Sequence, residues 1–429
     1  MNRFGGVFRG LVLGSILALT CGHAAGAADP LVGNLADFSG RTAQVSTPYS
    51  QAKIDAAAWV NAHGGIDGKK IDLRTFDYAY EVPRAIATYQ GWKEAGMVAL
   101  QGWGTADTEA LVGFVAQDQI PYFSASYSAH LTDPLGLGGE TRKPAPYNFI
   151  MGPSYSDSLR AMLQWAQADW AQKGRPGAPK YVHMGDNHPY PNAPKKAGER
   201  YAKELGFDVL PAIQYALAPG DFKSQCLELK QSGANYAFLA NSSDSNVALL
   251  KACAALGVDV QFLANIWGFD ETVMKAAGTA ADGVVWPLGA APWTADVPGM
   301  KLVHDIAKAA DPTTTYKPVH YVRGICAWYY MKEAMEWADK NGGITGPNIK
   351  QGMYQKKDWV PAGLEDVCPK ATWTPQDHRG FTQVPLYQAH VKADPPAGAD
   401  LATLFADRTI GMTQVYEVTV PRRPDWLGW

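Results

Sequence analysis

Short apolar runs alternate with longer segments of helical periodicity along the first part of the chain after residue 30. The runs have the length and flanking residues that are typical of buried strands. They are found at residues 31–35, 70–76, 97–101 and 120–124. Between them, apolar residues recur with helical spacing in predicted helices at residues 40–64, 83–96 and 105–117. This alternation predicts βαβ units, whose strands join one parallel sheet.

The same rhythm begins again after a Pro- and Gly-rich passage at residues 134–153. Predicted strands of the second set lie at residues 180–184, 208–213, 236–240, 261–265 and 283–286. The helices predicted to accompany them lie at residues 154–172, 193–205, 222–231, 245–256 and 271–277. Further helices are predicted near residues 303–309 and 320–338, and the remaining C-terminal segment is predicted to be poor in strands.

Two consecutive βα sets predict an α/β protein with two doubly wound parallel-sheet lobes joined by a hinge. A mature chain of about 400 residues also exceeds what a single hydrophobic core usually organises. We expect lobe 1 to contain residues 28–150 with about 289–345. Lobe 2 with the hinge should contain residues 151–288 with about 346–429. Ligands of such folds bind at the carboxyl ends of the strands, which here face each other across a cleft.

The first 27 residues have the three parts of an export signal. Two arginines form a basic start, residues 11–19 form an apolar core, and residues 25–27 are Ala-Gly-Ala, a small-x-small cleavage site. The apolar core is too short to span a bilayer of roughly 30 Å. We therefore expect cleavage after Ala27 and a periplasmic mature protein. An uncleaved anchor is one alternative, and a lipoprotein is another, although Cys21 follows a Thr where Gly or Ala is expected.

Charge and composition limit the kinds of molecule that the protein is expected to bind. The 429 residues include 38 basic and 41 acidic ones, and 47% of the chain is hydrophobic. Removing residues 1–27 takes away two arginines and no acid, which leaves 36 basic residues and a net charge of −5. No Lys/Arg-rich block follows, so a nucleic-acid partner is not expected. The 14 Trp and 20 Tyr residues are many for this length and leave aromatic rings for a binding pocket.

Four cysteines remain in the mature chain, and an exported protein can oxidise them to disulfides. Cys226 and Cys253 lie on successive predicted helices that flank one strand, where neighbouring helices pack side by side. This placement predicts a Cys226–Cys253 bridge. Cys326 and Cys368 are then the second pair by elimination, and whether that pair is bridged stays open. Because no CxxC motif and no His cluster accompany the cysteines, no zinc site, redox site or other cofactor is expected.

Motifs of nucleotide-binding proteins and hydrolases are absent from the sequence. The first predicted strand is not followed by GxGxxG, and neither a Walker A motif, a GxSxG elbow nor an HExxH helix occurs. His188, His320 and His378 could each act as a base, but no nucleophile is placed to accompany them. We interpret them as structural or surface histidines and expect no catalysis. A secreted α/β enzyme with scattered catalytic residues is the alternative hypothesis.

Loops that directly follow predicted strands carry the best candidates for ligand contacts. The loop at residues 102–108 leads into a helix, whose N-terminal N–H groups and neighbouring Thr hydroxyls favour an anion or carboxylate. An ordinary helix start capped by Thr105 is the alternative interpretation. Loops at residues 124–128 and 186–190 occupy similar places, and two further strand ends carry Trp. The candidate ligand-binding residues are Trp103, Gly104, Thr105, Thr108, Ala125, Ser126, Tyr127, Tyr190, Trp267 and Trp286.

These loops resemble the type I periplasmic solute-binding proteins of ABC importers, the branched-chain amino-acid-binding (leucine/isoleucine/valine-binding-like) family. The most specific matches are WVNAHGGIDG at residues 59–68 and DFKSQCLELKQSG at residues 221–233. The resemblance implies a Venus-flytrap arrangement that closes on a small molecule, with ABC importer permease subunits as partners. It also implies that residues 102–108 and 125–127 hold a ligand carboxylate, and that Tyr190 covers the ligand from lobe 2.

One departure from the family pattern changes the expected ligand. Amino-acid binders usually place an acid near residues 265–268 to pair with the ligand ammonium, but this chain has Asn-Ile-Trp-Gly there. A desolvated ammonium without a counter-charge is strongly unfavourable, and the nearby Asp270 falls toward the following helix.

Aromatic residues replace polar ones elsewhere in this region as well. Tyr127 stands where amino-acid binders commonly have Thr. Together with the other candidate rings, it predicts a small aromatic or hydrophobic organic acid as the ligand. A polar amide, urea-like compound or amino acid, bound through Asn265, Asp270 and the Thr-containing loop, is the alternative. We expect the protein to act as a monomer.

Overall fold

The computed structural model describes residues 1–2, 5–6, 29–141 and 143–429. The apolar core of the predicted export signal and the expected cleavage after Ala27 lie outside the described residues. Within the described ranges, none of the helices is both long and apolar enough to cross a membrane. The two βα sets of the sequence form two separate sheets.

Lobe 1 is built around a parallel sheet. Its strands are β1 (Leu31–Ala36), β2 (Asp72–Asp77), β3 (Ala99–Gln101), β4 (Tyr122–Ser124) and β5 (Asn148–Ile150). They are arranged in the order β2-β1-β3-β4-β5. All but β2 are buried along their whole length, which explains their nearly continuous apolar runs. β2 lies at the sheet edge, where Arg74 and Asp72 form a partly exposed ion pair.

Lobe 2 is built around a mixed sheet. Its strands are β6 (Lys180–Gly185), β7 (Asp208–Val209), β8 (Ile213–Gln214), β9 (Tyr236–Leu239), β10 (Gln261–Ala264), β11 (Val285–Pro287), β12 (Gln383–Val391) and β13 (Ile410–Thr419). The order is β13-β12-β11-β10-β9-β6-β7, and β8 also pairs with β6. The pairs from β7 to β11 are parallel, whereas β11–β12 and β12–β13 are antiparallel.

The prediction of a strand-poor C-terminal segment is wrong. β12 and β13 contain nine and ten residues and extend the lobe 2 sheet. β12 alternates as a strand with one buried face should, since Val384, Leu386 and Ala389 are buried beside less buried neighbours. Pro385 inside the strand and a register shift between Leu386 and Tyr387 obscure this period in the sequence.

Two other strand predictions differ in detail from the structure. Residues 208–213 form part of two short strands, β7 and β8, because Pro211 between them has no N–H to donate. β5 lies within residues 134–153, which the sequence indicated only as a Pro- and Gly-rich passage. A strand of three residues is too short for an alternation of apolar and polar positions to be recognised in the sequence.

Helices connect the strands and cover both sheets. In chain order they are α1 (Ala43–Ala62), α2 (Val82–Glu94), α3 (Thr105–Asp118), α4 (Tyr155–Gln172), α5 (Pro189–Asn192), α6 (Lys195–Glu204), α7 (Lys223–Ser232), α8 (Ser243–Ala255), α9 (Glu271–Ala277), α10 (Met300–Ala310), α11 (Val319–Lys340), α12 (Gly346–Gly352) and α13 (Leu401–Ala406). Short 3₁₀ turns lie at Ala129–Leu131, Gly278–Ala281 and Pro424–Trp426.

α1 and α11 pack closely along each other in lobe 1. Gly324 permits this approach, since a Cβ at that position would lie 2.3 Å from the Tyr49 carbonyl oxygen. α12 packs against α11 in turn. We therefore propose that lobe 1 extends through Gly352, and that the chain crosses between the lobes near residues 151–154, 288–299 and 353–382.

Both expected cysteine pairings are present as disulfides. Cys226 on α7 and Cys253 on α8 are joined, with their Cα atoms 5.0 Å apart. Cys326 on α11 and Cys368, in the segment after α12, form the second bridge, with a Cα–Cα distance of 5.6 Å. The first bridge fixes α8 to its neighbour, and the second ties a crossing segment to lobe 1.

Candidate functional site

A narrow cavity with about 10 Å³ of free space lies between the two sheets, at the carboxyl ends of their strands. Aromatic side chains form much of its wall: Tyr80, Trp103, Tyr155, Tyr190 and Trp267. Small and polar residues and one valine form the rest: Thr42, Val45, Gly104, Thr105, Ala125 and Ser242. None of these residues is charged at neutral pH, so the wall is apolar with a few hydroxyl groups.

Most of the candidate residues meet at this cavity. Those on its wall are Trp103, Gly104, Thr105, Ala125, Tyr190 and Trp267. Thr108, Ser126 and Tyr127 are buried behind them and hold the loops in place. The Thr108 hydroxyl donates to the Gly104 carbonyl oxygen at 2.5 Å, and the Ser126 hydroxyl donates to Thr105 Oγ1 at 2.8 Å. The Tyr127 hydroxyl donates to the Met151 carbonyl oxygen at 2.8 Å.

Trp286 lies apart from the cavity, although it was a candidate for ligand contact. It is the middle residue of β11, so its side chain projects from the face of the sheet and not beyond the strand end. Its ring packs near Phe269, with 4.8 Å between ring centroids, and Tyr387, with 6.4 Å. The structure therefore places Trp286 in the core of lobe 2.

Trp267 connects the two lobes. It follows β10, and its indole Nε1 donates a hydrogen bond of 3.0 Å to the carbonyl oxygen of Ala125, which follows β4. Its ring meets Trp103 and Tyr49 edge-on, with centroid distances of 4.7 Å and 5.1 Å. These contacts need the two sheets to approach each other, so the structure represents a closed cleft.

Trp103 is held within lobe 1 by the loop between β1 and α1. Its indole Nε1 donates to the Thr42 hydroxyl at 2.8 Å. That hydroxyl in turn donates to the Asp37 carboxylate at 2.6 Å. Both hydrogen bonds lie within lobe 1, so lobe 1 contributes the polar contacts that orient this ring.

A buried cation lies behind Trp267. Arg323 on α11 is 2% exposed, and its guanidinium carbon lies 3.7 Å from the centre of the Trp267 ring. This is the geometry of a cation–π interaction. Nη1 of Arg323 also donates to the Ile266 carbonyl oxygen at 3.2 Å and lies 3.0 Å from Nδ1 of His320. Arg323 thus fixes the indole that forms one wall of the cavity.

His320 lies between this cation and a buried acid, Asp270. Burial lowers the pKa of His320, so we assign a neutral ring in which Nδ1 accepts from Arg323. Nε2 then carries the proton and lies 3.6 Å from Oδ2 of Asp270. The other carboxylate oxygen of Asp270 caps α9 by accepting from the N–H groups of Thr272 and Val273. Burial raises the pKa of Asp270, while these hydrogen bonds and Arg323 lower it. One oxygen of Asp270 is therefore engaged in the helix cap, and Oδ2 has no hydrogen-bond partner among the described residues.

The start of α3, predicted as an anion site, is filled by groups of lobe 1. The Gly104 N–H donates to the Tyr78 hydroxyl at 3.1 Å, and the Tyr80 hydroxyl lies within reach of the Thr105 N–H. The buried carboxyl of Asp107 accepts from the Tyr78 hydroxyl at 2.8 Å. Burial raises the pKa of Asp107 to about 7, although its hydrogen bonds lower it. An incoming anion would therefore meet another carboxyl group at this end of the cavity.

The start of α8 is different. Ser242 precedes this helix, is 2% exposed and lines the cavity. Its side chain does not cap the helix, and its hydroxyl has no hydrogen-bond partner in the part of the chain that the structure describes. The backbone N–H groups of residues 243–245 likewise donate no hydrogen bond within residues 29–141 and 143–429.

Sequence reasoning did not single out Ser242 or Arg323. Ser242 lies in an Asn-Ser-Ser-Asp-Ser segment directly after the predicted strand 236–240, the same position as the other candidate loops. That signal could have identified it. Arg323 is a basic residue within a mostly apolar helical stretch at residues 319–331. A lone cation in such a stretch was the signal that could have identified it.

The other histidines considered as bases are engaged in structural hydrogen bonds. Nδ1 of His188 accepts from the Tyr190 N–H at 3.3 Å, at the start of α5. His378 contacts the Asn148 carbonyl oxygen through Nδ1 and the Tyr354 hydroxyl through Nε2, both at 2.7 Å. Burial lowers the pKa of both histidines to about 4. Among the described residues, no group of three or more His, Cys, Asp or Glu side chains is arranged to hold a metal ion.

Comparisons with known proteins agree with this arrangement. The family described as Periplasmic binding protein matches residues 31–395. Leu/Ile/Val-binding protein homolog 7 of Brucella abortus (strain 2308) is 25% identical over 246 residues. That alignment covers 56% of this chain and 59% of the relative, so the chain spans less than two thirds of that protein.

Solved structures share the fold. An ABC transporter substrate binding protein of Aeropyrum pernix has 23% identity and a TM-score of 0.78, with 94% of this chain and 98% of that chain covered. A fatty acid ABC transporter substrate-binding protein from Thermomonospora curvata has 17% identity and a TM-score of 0.74, covering 88% and 94%. A branched chain amino acid ABC transporter protein from Thermus thermophilus with bound valine has 19% identity and a TM-score of 0.73, covering 88% and 99%.

At these identities the solved structures establish the fold and leave the ligand to be argued from this chain. The two-lobed α/β architecture predicted from the sequence is confirmed. Because the family match runs through both sheets and the cavity between them, this chain belongs to the periplasmic binding protein family, as its sequence resemblance indicated.

Proposed function

We propose that this protein captures a small molecule in the periplasm and delivers it to the permease subunits of an ABC importer. Family membership, the closed cleft between two lobes and the names of the structural neighbours support this proposal. The export signal predicted at residues 1–27 supports the periplasmic location. Capture of this kind depends on affinity and lobe closure and requires no chemical step. We expect the protein to work as a monomer without a cofactor.

The ligand that the cavity fits best is a small aromatic or hydrophobic organic acid. The observation that carries this proposal is the wall itself, on which aromatic rings predominate and no residue is charged. Flat rings bind apolar ligands with little loss of conformational entropy. The free space in this closed cleft is about 10 Å³, room for about one water molecule, so an organic ligand needs the lobes to close less tightly around it.

A ligand ammonium fits the cavity less well. Among the described residues, no carboxylate lines the wall to pair with such a group, and an unpaired charge in a dry pocket is strongly unfavourable. The polar alternative, an amide, urea-like compound or amino acid, would need Asn265 and Asp270. Oδ1 of Asn265 accepts from the Trp267 N–H at 3.2 Å, and Asp270 caps α9. Each residue is therefore engaged through one side-chain oxygen, and neither lines the cavity.

The test is a melting experiment on the mature, disulfide-bonded protein with aromatic acids, aliphatic acids, amides and amino acids. A ligand that binds only the folded state must raise the melting midpoint as its concentration increases. We expect aromatic or hydrophobic acids to give this shift. If leucine or valine gave the shift and the acids did not, the proposed ligand class would be wrong.

A variant pair separates ligand contact from general stability. Trp267→Leu removes a ring from the cavity wall, and it should reduce affinity for an aromatic acid by about tenfold or more. Trp286→Leu removes a similarly buried ring inside lobe 2 and should lower the melting midpoint without changing that affinity. Equal losses of affinity in both variants would contradict the assignment of Trp267 to the ligand site.

A further inference from the structure

Two helices begin at the cavity, one from each lobe. The N-terminus of a helix carries partial positive charge and unpaired N–H groups, so it attracts an anion unless other groups occupy it. At α3 the Gly104 N–H donates to the Tyr78 hydroxyl, and that hydroxyl donates to the carboxyl of Asp107. The α3 end of the cavity therefore already holds a carboxyl group of lobe 1.

At α8 the Ser242 hydroxyl and the N–H groups of residues 243–245 have no hydrogen-bond partner among the described residues. The Ser242 hydroxyl is buried, lines the cavity and makes no hydrogen bond to the described residues. A buried hydroxyl without a partner is unfavourable, so its position on the wall points to a ligand group as the partner. Asp244, the acidic residue in the first turn, is exposed and accepts no hydrogen bond from the N–H groups at this helix start.

Charged groups of both signs lie around the cavity, including Asp244 in the first turn of α8. Arg323 lies behind Trp267 and adds positive potential. Asp270 caps α9 through one carboxylate oxygen, and its other oxygen has no hydrogen-bond partner among the described residues. Asp107 lies at the opposite end, beside α3, where its carboxyl would oppose a second carboxylate.

We propose that the carboxylate of the ligand binds at the N-terminus of α8, with hydrogen bonds from the Ser242 hydroxyl and the N–H groups that follow it. The apolar part of the ligand then packs against Trp103, Tyr155, Tyr190 and Trp267. This inference rests on the proposed function, because it takes an organic acid as the ligand. It adds that lobe 2 recognises the acid group, while the aromatic wall recognises the rest.

Matched pairs of acids and amides test the inference, since each pair has nearly the same shape and differs in charge. We would titrate benzoate with benzamide, phenylacetate with phenylacetamide, and hexanoate with hexanamide, using calorimetry on the mature protein. At least one acid should bind about tenfold more tightly than its amide, because hydrogen bonds to charged groups are the stronger ones. Ser242→Ala should weaken that acid by about tenfold and its amide by less than about threefold.

Two further variants make the result decisive. Ser242→Asp keeps a good helix-capping residue, so the fold is preserved, but its carboxylate would occupy the site and abolish binding of the acid. Ser245→Ala removes a hydroxyl of the same helix turn, which donates to the Ala216 carbonyl oxygen and does not line the cavity. It should leave acid binding within about threefold of the unaltered protein. Circular dichroism and melting establish that each variant is folded.

The outcomes distinguish the inference from the proposed function. If Ser242→Ala weakened the acid and the amide equally, or neither, the carboxylate would not bind at α8, while the proposed function would stand. If every amide bound as tightly as its acid, the inference would also fail. If no acid or amide of the panel bound the unaltered protein, the proposed ligand class itself would be wrong.

Discussion

α3 of lobe 1 and α8 of lobe 2 both begin at the cavity, and their first turns are arranged in opposite ways. α3 begins within a network of tyrosine hydroxyls around the carboxyl of Asp107. α8 begins with Ser242, whose hydroxyl has no partner among the described residues. The comparison shows that a helix start at the cleft is not sufficient for an anion site. The residues that surround its first turn decide whether its N–H groups are available.

The largest effect should come from removing the charge of Asp107. Its folded pKa of about 7 lies above the ordinary value of 3.8, because the carboxyl is buried. A raised pKa means that the stability contributed by the neutral form is complete below about pH 4 and is lost as the pH rises through 7. The interval between the two values corresponds to up to about 4 kcal/mol.

We therefore expect Asp107→Asn, which stays neutral, to be more stable than the unaltered protein at pH 8 and to lose this advantage near pH 4. Urea unfolding from pH 4 to pH 8 measures the free energy of unfolding of both proteins. The difference between the two curves isolates this group from others that titrate. Parallel curves would contradict the prediction, because they would show that burial does not raise the pKa of Asp107 in the folded protein.

A somewhat smaller effect is expected from the disulfide that anchors α8. The Cys226–Cys253 bridge closes a loop with a sequence separation of 27. Replacing both cysteines by Ala should lower the free energy of unfolding by about 3 kcal/mol. If α8 keeps its place, the preference for an acid over its amide should persist at a temperature where the variant is folded. Loss of the preference in a folded variant would mean that the bridge positions the site directly.

The smallest effect is expected at the start of α3. Thr105→Val removes a hydroxyl from the cavity wall with little change in shape, and that hydroxyl already accepts from Ser126. The affinity for the acid should change by less than about threefold, in contrast to the loss in Ser242→Ala. A loss of tenfold or more in Thr105→Val would reverse the comparison and return the carboxylate to lobe 1.

The two-lobed fold could be predicted from the sequence because buried parallel strands appear as apolar runs between helical segments. β12 could not, because Pro385 and a register shift break its alternation of buried and less buried residues. The first disulfide followed from helices that pack side by side, and the second followed from the number of cysteines.

The candidate site was predictable in part for a similar reason. Strand-end loops converge on a cleft, so most of the chosen residues meet at the cavity. The availability of a hydrogen-bond donor depends on tertiary neighbours, and this is why α3 was favoured over α8. Trp286 illustrates the same limit. The sequence suggested that it lies at a strand end, whereas it is the middle residue of β11, and its ring therefore packs in the core of lobe 2.

A crystal structure of the mature protein with the acid that binds most tightly from the panel tests the central claim most directly. We predict a carboxylate oxygen within about 3 Å of Ser242 Oγ, with the apolar part of the acid against Trp267. A carboxylate bound instead at Gly104 and Thr105, with Ser242 facing the apolar part of the ligand, would contradict the account.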